Sequence, residues 1–228
     1  MSSLPSTSAI HGLFRSTVLV FAFVLACQAI WILTAEFARP SRVDLSEKSQ
    51  SAAIANRKAA ALAASLGFVR GDLWAEYALT YFDLFSPNGR EGVTGQPLKT
   101  IEQAAAVAER ALTLAPHDAR IWLVIAGADS RLTNRHKADA ALRMSYYTGA
   151  NETELIPLRL LLAINSEGLI ENDLQQLVRH DIRTIITRRP ELKPAISAAY
   201  RDAPALGRRF LEDTLKQIDP TMLDKLRT

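Results

Sequence analysis

ALTLAPHDARIW, residues 111–122, contains the clearest helix end and helix start in the chain. Pro116 lacks an N–H and disfavours helix in the residue before it, so we expect a helix to end at about Leu114 or Ala115. Asp118 is a good N-cap, which predicts a second helix with Trp122 on its packed face. Upstream, small and apolar side chains recur at helical spacing and predict one packed stripe, formed by Ala104, Val107, Ala108, Ala111, Leu112 and Ala115. The stretch therefore predicts a helical hairpin.

The rest of the chain has the same helical periodicity and no strand pattern, so we expect an all-α fold. Helices are predicted over 53–66, over 73–85 with Asp72 as N-cap, after Asn134, over 155–164 with a capping box at 151–154, and over 174–186. Prolines 190, 194 and 204 divide the remainder into short helices, and Asp219-Pro220 begins another.

Residues 72–150 resemble the tetratricopeptide repeat, a helix–turn–helix unit of about 34 residues. When Trp122 takes the first large position, the following motif positions fall on Ala126, Ala138, Leu142 and Ser145. Trp74 and Ala78 begin an earlier unit that needs about 14 extra residues. The Gly- and Pro-rich segment 86–99 supplies a loop of that size. Ala150 stands where the motif expects Pro, and an ordinary helical bundle remains the alternative.

The resemblance implies a solenoid of stacked hairpins whose first helices line a concave, partner-binding face. The positions it assigns to partner binding are Asp72, Leu79, Phe82, Asp83, Arg120, Leu123 and Arg131, with Ala75, Gly127 and Ser130 on the same faces. Phe82 and Leu123 would hold an apolar anchor of the partner, while Arg120 and Arg131 would pair with carboxylates.

Residues 16–35 form an uncharged, apolar segment that predicts a transmembrane helix. A helix of that length spans about 30 Å, the thickness of the hydrocarbon core of a bilayer. Trp31 suits the interfacial aromatic belt. A cleaved signal peptide is the first alternative, although no small-x-small site follows. A lipoprotein anchored at Cys27 is the second, although the next residues stay apolar.

The expected organisation is an N-terminal tail (1–15), the transmembrane anchor (16–35), a tether (36–50), helical repeats (51–150) and a C-terminal helical cover (151–228). We expect a single-pass protein of the bacterial inner membrane. Basic residues after the span favour a cytoplasmic domain by the positive-inside rule. Resemblance to bacterial signal anchors favours the periplasm, and we prefer that side.

The sequence gives no sign of catalysis. None of the four His is paired at metal-ligand spacing, the only Cys lies within the span, and no nucleotide or hydrolase motif is present. We therefore expect no cofactor, no metal and no enzymatic activity. An enzyme whose residues meet only in three dimensions stays open.

The charge of the chain is nearly balanced, with 27 Lys and Arg against 24 Asp and Glu. We expect no nucleic-acid partner, because no binding motif accompanies the basic runs. These runs are either solvated helix faces or a surface for an acidic protein partner, for anionic lipid headgroups or for an anionic polymer.

The expected function is a membrane-anchored scaffold that binds a protein partner in or near the membrane, such as an assembly factor of the cell envelope. The alternative is an accessory subunit of a machine for envelope polysaccharide synthesis or export, held through its transmembrane helix.

Overall fold

A computed structural model describes residues 7–39, 50–85 and 98–227, and within these ranges the chain is helical and has no strand. The all-α prediction is thus confirmed there. The helices are α1 (Thr7–Phe37), α2 (Gln50–Leu66), α3 (Gly71–Leu79), α4 (Leu98–Leu114), α5 (Ala119–Arg131), α6 (Arg135–Thr148), α7 (Ile156–Ile164), α8 (Asn172–Thr187), α9 (Lys193–Asp202), α10 (Ala205–Ile218) and α11 (Pro220–Arg227). Short 3₁₀ turns join several of them.

The junction of α4 and α5 forms as the sequence predicted. Helix α4 ends at Leu114, and the side chain of Asp118 accepts a hydrogen bond of 3.0 Å from the backbone N–H of Arg120. The small residues of the α4 stripe, such as Ala108 and Ala111, are fully buried. Because alanines leave little bulk between helix axes, the neighbouring helices approach closely at this stripe.

The two tryptophans of the predicted repeats have equivalent settings. The indole N–H of Trp122 donates to the carbonyl of Pro116 at 2.8 Å, and that of Trp74 donates to the carbonyl of Phe68 at 3.2 Å. Each acceptor lies six residues before its Trp. One turn after each Trp a buried alanine follows, Ala78 in α3 and Ala126 in α5. In both α3 and α5 the Trp is therefore the fourth helical residue and is bonded to the segment before the helix, although only α5 has a side-chain cap.

The helices from α2 to α7 pack in chain order, each against the next, and α3 also contacts α5. The C-terminal third gathers around α7, which contacts α8, α9 and α10. Its apolar residues, including Ile164, Ile182 and Leu211, are fully buried and belong to one hydrophobic cluster with the earlier helices.

Two predicted helix starts are wrong. Asp72 is not the N-cap of α3, because the helix already begins at Gly71; its carboxylate pairs instead with the Arg70 guanidinium at 2.6 Å. The capping box at 151–154 does not form either. A 3₁₀ turn, Thr153–Leu155, precedes α7 without a side-chain cap. Helix α3 also ends at Leu79, earlier than expected, and a 3₁₀ turn, Phe82–Leu84, follows.

Helix α1 carries an apolar stretch, Phe14–Phe37, that is long enough to span a membrane. Its C-terminal end packs against the rest of the protein rather than standing apart. The Trp31 N–H donates to the carbonyl of Leu66 at 2.7 Å, and the Trp31 ring lies 5.7 Å from that of Phe68, centroid to centroid.

Ion pairs fix the same end of α1 to α3. Arg39 Nε donates to Glu76 Oε2 at 2.8 Å, and Arg70 Nη1 lies 3.1 Å from Glu36 Oε2. Helix α1 thus continues past the predicted end of the span, into the predicted tether. Residues 40–49 of that tether lie outside the described ranges.

Candidate functional site

A cavity of about 460 Å³ opens where α5, α6, α7 and the start of α10 meet. Its apolar wall consists mainly of Phe85, Leu142, Leu161, Leu162 and Leu206. Leu206 is 44% exposed and lies on α10, at the edge of the cavity. The cavity can accept an apolar side chain from solvent.

Gly127 shapes one side of the cavity. A Cβ atom built at this position would lie 2.5 Å from Cγ of Phe85, so the phenyl ring rests directly on the backbone of α5. Any larger residue at position 127 would push the ring aside. The absence of a side chain at Gly127 therefore determines the position of the Phe85 ring in the cavity wall.

Charged and polar side chains form the rim. Arg135 pairs with Glu167. The Asp139 carboxylate accepts a hydrogen bond from the Ser166 hydroxyl and one of 3.0 Å from the backbone N–H of Gly168. Both contacts join α6 to the segment after α7, so the rim is tied together by charged hydrogen bonds over an apolar interior.

Three of the residues expected on the concave face line this cavity: Gly127, Ser130 and Arg131. Arg120 is exposed away from the lining, and its Nη2 lies 2.6 Å from Asp118 Oδ2. This contact raises the pKa of Arg120. Asp72 is exposed at the start of α3, and the hydrogen bond from Arg70 lowers its pKa.

The three apolar residues predicted to face a partner, Leu79, Phe82 and Leu123, are buried. Leu123 is fully buried, and Leu79 and Phe82 are each only 8% exposed. All three belong to the hydrophobic cluster between helices, so they lie in the core and do not form an open face. The side chain of Asp83 lies outside the described residues.

Sequence reasoning missed the part of the cavity that comes from α6, α7 and α10. Leu161, Leu162 and Leu206 lie in the C-terminal third, for which the sequence offered no motif. The available signal was Leu206, an apolar residue just after the helix-breaking Pro204, but nothing local brings it near α5.

A second polar cluster, which the sequence did not predict, is buried between α6, α7 and α8. Arg159 is fully buried. Its Nε donates to the Ser145 hydroxyl at 3.0 Å, and its Nη1 donates to the carbonyl of Gly149 at 3.0 Å. The guanidinium carbon lies 4.9 Å from the centroid of the Tyr146 ring. Arg159 thereby binds the C-terminal end of α6.

Asp181 of α8 is buried beside this cluster, 3% exposed. Burial raises the pKa of its carboxyl to about 6, although the Tyr146 hydroxyl and the Arg159 charge favour the ionised form. The sequence showed Asp181 only as the neighbour of His180. Periodicity placed it on an amphipathic helix without indicating burial.

The raised pKa of Asp181 predicts a pH-dependent stability. The folded state binds a proton that the unfolded chain releases near its ordinary pKa, so this stabilisation is present at low pH and is lost as the pH rises through about 6. We expect the contribution to fall by about 2 kcal/mol between about pH 4.5 and pH 7.5. Denaturant unfolding of the full chain in detergent at each pH, monitored by circular dichroism, measures this change in the free energy of unfolding.

Asp181→Asn should remove most of this pH dependence, whereas Asp213→Asn on the exposed face of α10 should leave it unchanged. Equal pH profiles for wild type and Asp181→Asn would contradict the assignment.

His117, His136 and His180 are all exposed, and none lines the cavity. In the ranges that the structure describes, no group of three His, Cys, Asp or Glu side chains is placed to hold a metal ion.

Comparison with known proteins identifies no relative: no family model matches the chain, and neither does any curated protein or solved structure.

Proposed function

We propose that this protein is a single-pass, membrane-anchored helical scaffold that binds a protein partner in or near the membrane. The anchor is α1, through Phe14–Phe37. A signal peptide could have the same length and apolarity, but its removal would here break packing of the folded domain. Trp31 donates to the Leu66 carbonyl and its ring lies against that of Phe68, tilted by 43°, and Ala35 is buried. Retention of α1 keeps these contacts, which favours an uncleaved anchor.

The proposed architecture of the scaffold is a stack of tetratricopeptide-like hairpins. Two observations support it. Trp74 and Trp122 donate equivalent hydrogen bonds at the starts of α3 and α5. These two helices also contact each other directly, although α4 separates them in the sequence. In a stack of hairpins, successive first helices are neighbours and line one common face.

We assign partner binding to the cavity between α5, α6, α7 and α10. Its volume, about 460 Å³, lies within the range of roughly 300 to 1,000 Å³ that is usual for ligand pockets. An apolar wall inside a charged rim suits a protein segment that inserts a hydrophobic side chain and pairs its polar backbone at the edge.

One observation carries this assignment: Gly127, Ser130 and Arg131, which the repeat resemblance puts on the partner-binding face, line the cavity. Resemblance to bacterial signal anchors supports placing the domain on the periplasmic side of the inner membrane. A role in assembling a complex of the cell envelope fits that position.

Filling the cavity tests the proposal. Ser130 is exposed at the lining, and its hydroxyl donates to the carbonyl three residues earlier at 2.8 Å. Ser130→Tyr should occupy the space that the partner needs. Thr113→Tyr is the matched control, because Thr113 is also exposed and makes the same kind of bond within α4, away from the cavity.

The measurement is photocrosslinking in native membranes from a photoreactive residue at position 206. We expect a defined partner adduct whose yield falls about tenfold with Ser130→Tyr and stays unchanged with Thr113→Tyr. No adduct, or an equal yield in both variants, would show that the cavity is not the binding site.

A further inference from the structure

The turn between α2 and α3 exposes two adjacent apolar side chains. Phe68 and Val69 are each 55% exposed. Adjacent exposed apolar side chains at the tip of a turn are unfavourable in water, and they commonly mark a contact with a partner or with a membrane.

The position of this turn relative to α1 indicates what it contacts. Trp31 bonds to Leu66 and its ring packs on Phe68, so the turn lies beside Trp31. Trp31 precedes Phe37, the end of the apolar stretch, by six residues, or about 9 Å along the helix axis. The turn therefore reaches back along the apolar helix instead of stopping at its end.

The turn is held firmly in that place. The Trp74 indole N–H donates to the carbonyl of Phe68 at 3.2 Å. The ion pairs of Arg39 with Glu76 and of Arg70 with Glu36 join the end of α1 to α3 just beyond the turn. A membrane that surrounds α1 must meet Phe68 and Val69 at the depth of Trp31.

We infer that the α2–α3 turn enters the same bilayer that α1 spans, with Phe68 and Val69 in the interfacial layer; this rests on the membrane anchor of the proposed function. The occupant of the exposed apolar surface is lipid, because Phe68 contacts Trp31 inside the apolar stretch of α1, and the large apolar side chains next to Trp31 on that helix, Ile30 and Leu33, are themselves exposed. Aromatic and aliphatic side chains bind favourably at this depth.

This contact would fix the orientation of the domain. With α1 as one attachment and the turn as the second, the helical stack cannot swing on a tether. It stands at one height and one angle above the membrane, so the cavity faces partners at a set distance from the bilayer.

Fluorescence quenching in lipid nanodiscs tests the inference. The only cysteine is Cys27, so a Cys27→Ser chain accepts a single bimane label at a chosen position. Labels are placed at Val69→Cys, at Phe21→Cys within the apolar helix, and at Ile170→Cys, which is 70% exposed in the turn before α8. Nanodiscs of phosphatidylethanolamine and phosphatidylglycerol carry a doxyl quencher on the acyl chain, and iodide is the aqueous quencher.

At position 69 we expect strong doxyl quenching and an iodide quenching constant about threefold or more below that at position 170. A second label at Phe68→Cys should give the same result, and circular dichroism verifies that each chain is folded.

Iodide quenching at position 69 equal to that at 170, or protection from both quenchers, would overturn the inference. The label at Phe21 separates the two proposals. Doxyl quenching there without quenching at 69 refutes only the inserted turn. Its absence at Phe21 refutes the membrane anchor itself.

Discussion

Arg159→Met should lower the free energy of unfolding by about 3–5 kcal/mol, as expected when one member of a buried charged network is removed. Arg159 is fully buried. Its guanidinium donates to the carbonyls of Ser145 and Gly149 at the end of α6. The last carbonyls of a helix have no partner within the helix, and they carry partial negative charge. Methionine fills similar space but leaves these acceptors short of a donor.

Removal of Arg159 should also act on Asp181. The Arg159 charge favours the ionised form of that carboxyl, so the pH at which Asp181 reduces stability should move upward in Arg159→Met. A loss of packing alone would not shift it. Denaturant unfolding at several pH values, monitored by circular dichroism, separates the loss of packing from the shift in the pKa of Asp181.

Arg183→Met on the exposed face of α8 is the control, since an exposed substitution usually changes stability by less than about 0.5 kcal/mol. If Arg159→Met and Arg183→Met are equally mild, the buried network does not hold α6 to α7.

Gly207→Ala should destabilise the protein by about 3 kcal/mol, near the upper end of overpacking costs. A Cβ atom at position 207 would lie 2.2 Å from the carbonyl oxygen of Ile164 and 3.1 Å from its carbonyl carbon. Both atoms belong to the backbone at the end of α7 and cannot rotate away. Helix α10 would have to move outward, and with it Leu206 at the edge of the cavity.

The direction of the expected change in stability makes the Gly207→Ala prediction specific. In an exposed helix interior, Gly→Ala normally stabilises by about 1 kcal/mol, because alanine has the higher helix propensity. A loss of stability therefore reports the close approach of α10 to α7. Arg209→Ala, on the exposed side of the same helix, should be nearly neutral. A rise in the unfolding midpoint of Gly207→Ala, measured by thermal circular dichroism, would show that the two helices are not in such close contact.

Sequence patterns predicted the elements whose cause is local. Pro116 and the Asp118 cap set the α4–α5 junction, because a missing N–H and a side-chain acceptor act within one turn of helix. The hydrogen bonds of Trp74 and Trp122 are local as well, because each joins the indole to a carbonyl only six residues earlier. The tetratricopeptide assignment of the whole stack stays a prediction.

Predictions from local patterns were wrong where packing against other helices determines the environment of a side chain. Periodicity shows that Leu123 lies on an apolar face of α5, but not which neighbour covers that face. The structure buries it completely. Asp72 was predicted to be the N-cap of α3. The helix already begins at Gly71, which packs against the end of α4, so the Asp72 carboxylate pairs with Arg70 instead.

Neighbouring residues are enough to predict that the chain is helical, where several helices end, and that one apolar helix is long enough to cross a membrane. Three features became visible only in the packed molecule: Arg159 and Asp181 share a buried cluster, α10 borders a cavity together with α5, and the α2–α3 turn lies beside Trp31. Each of these contacts joins segments far apart in sequence, and no local preference specifies which distant surfaces will meet.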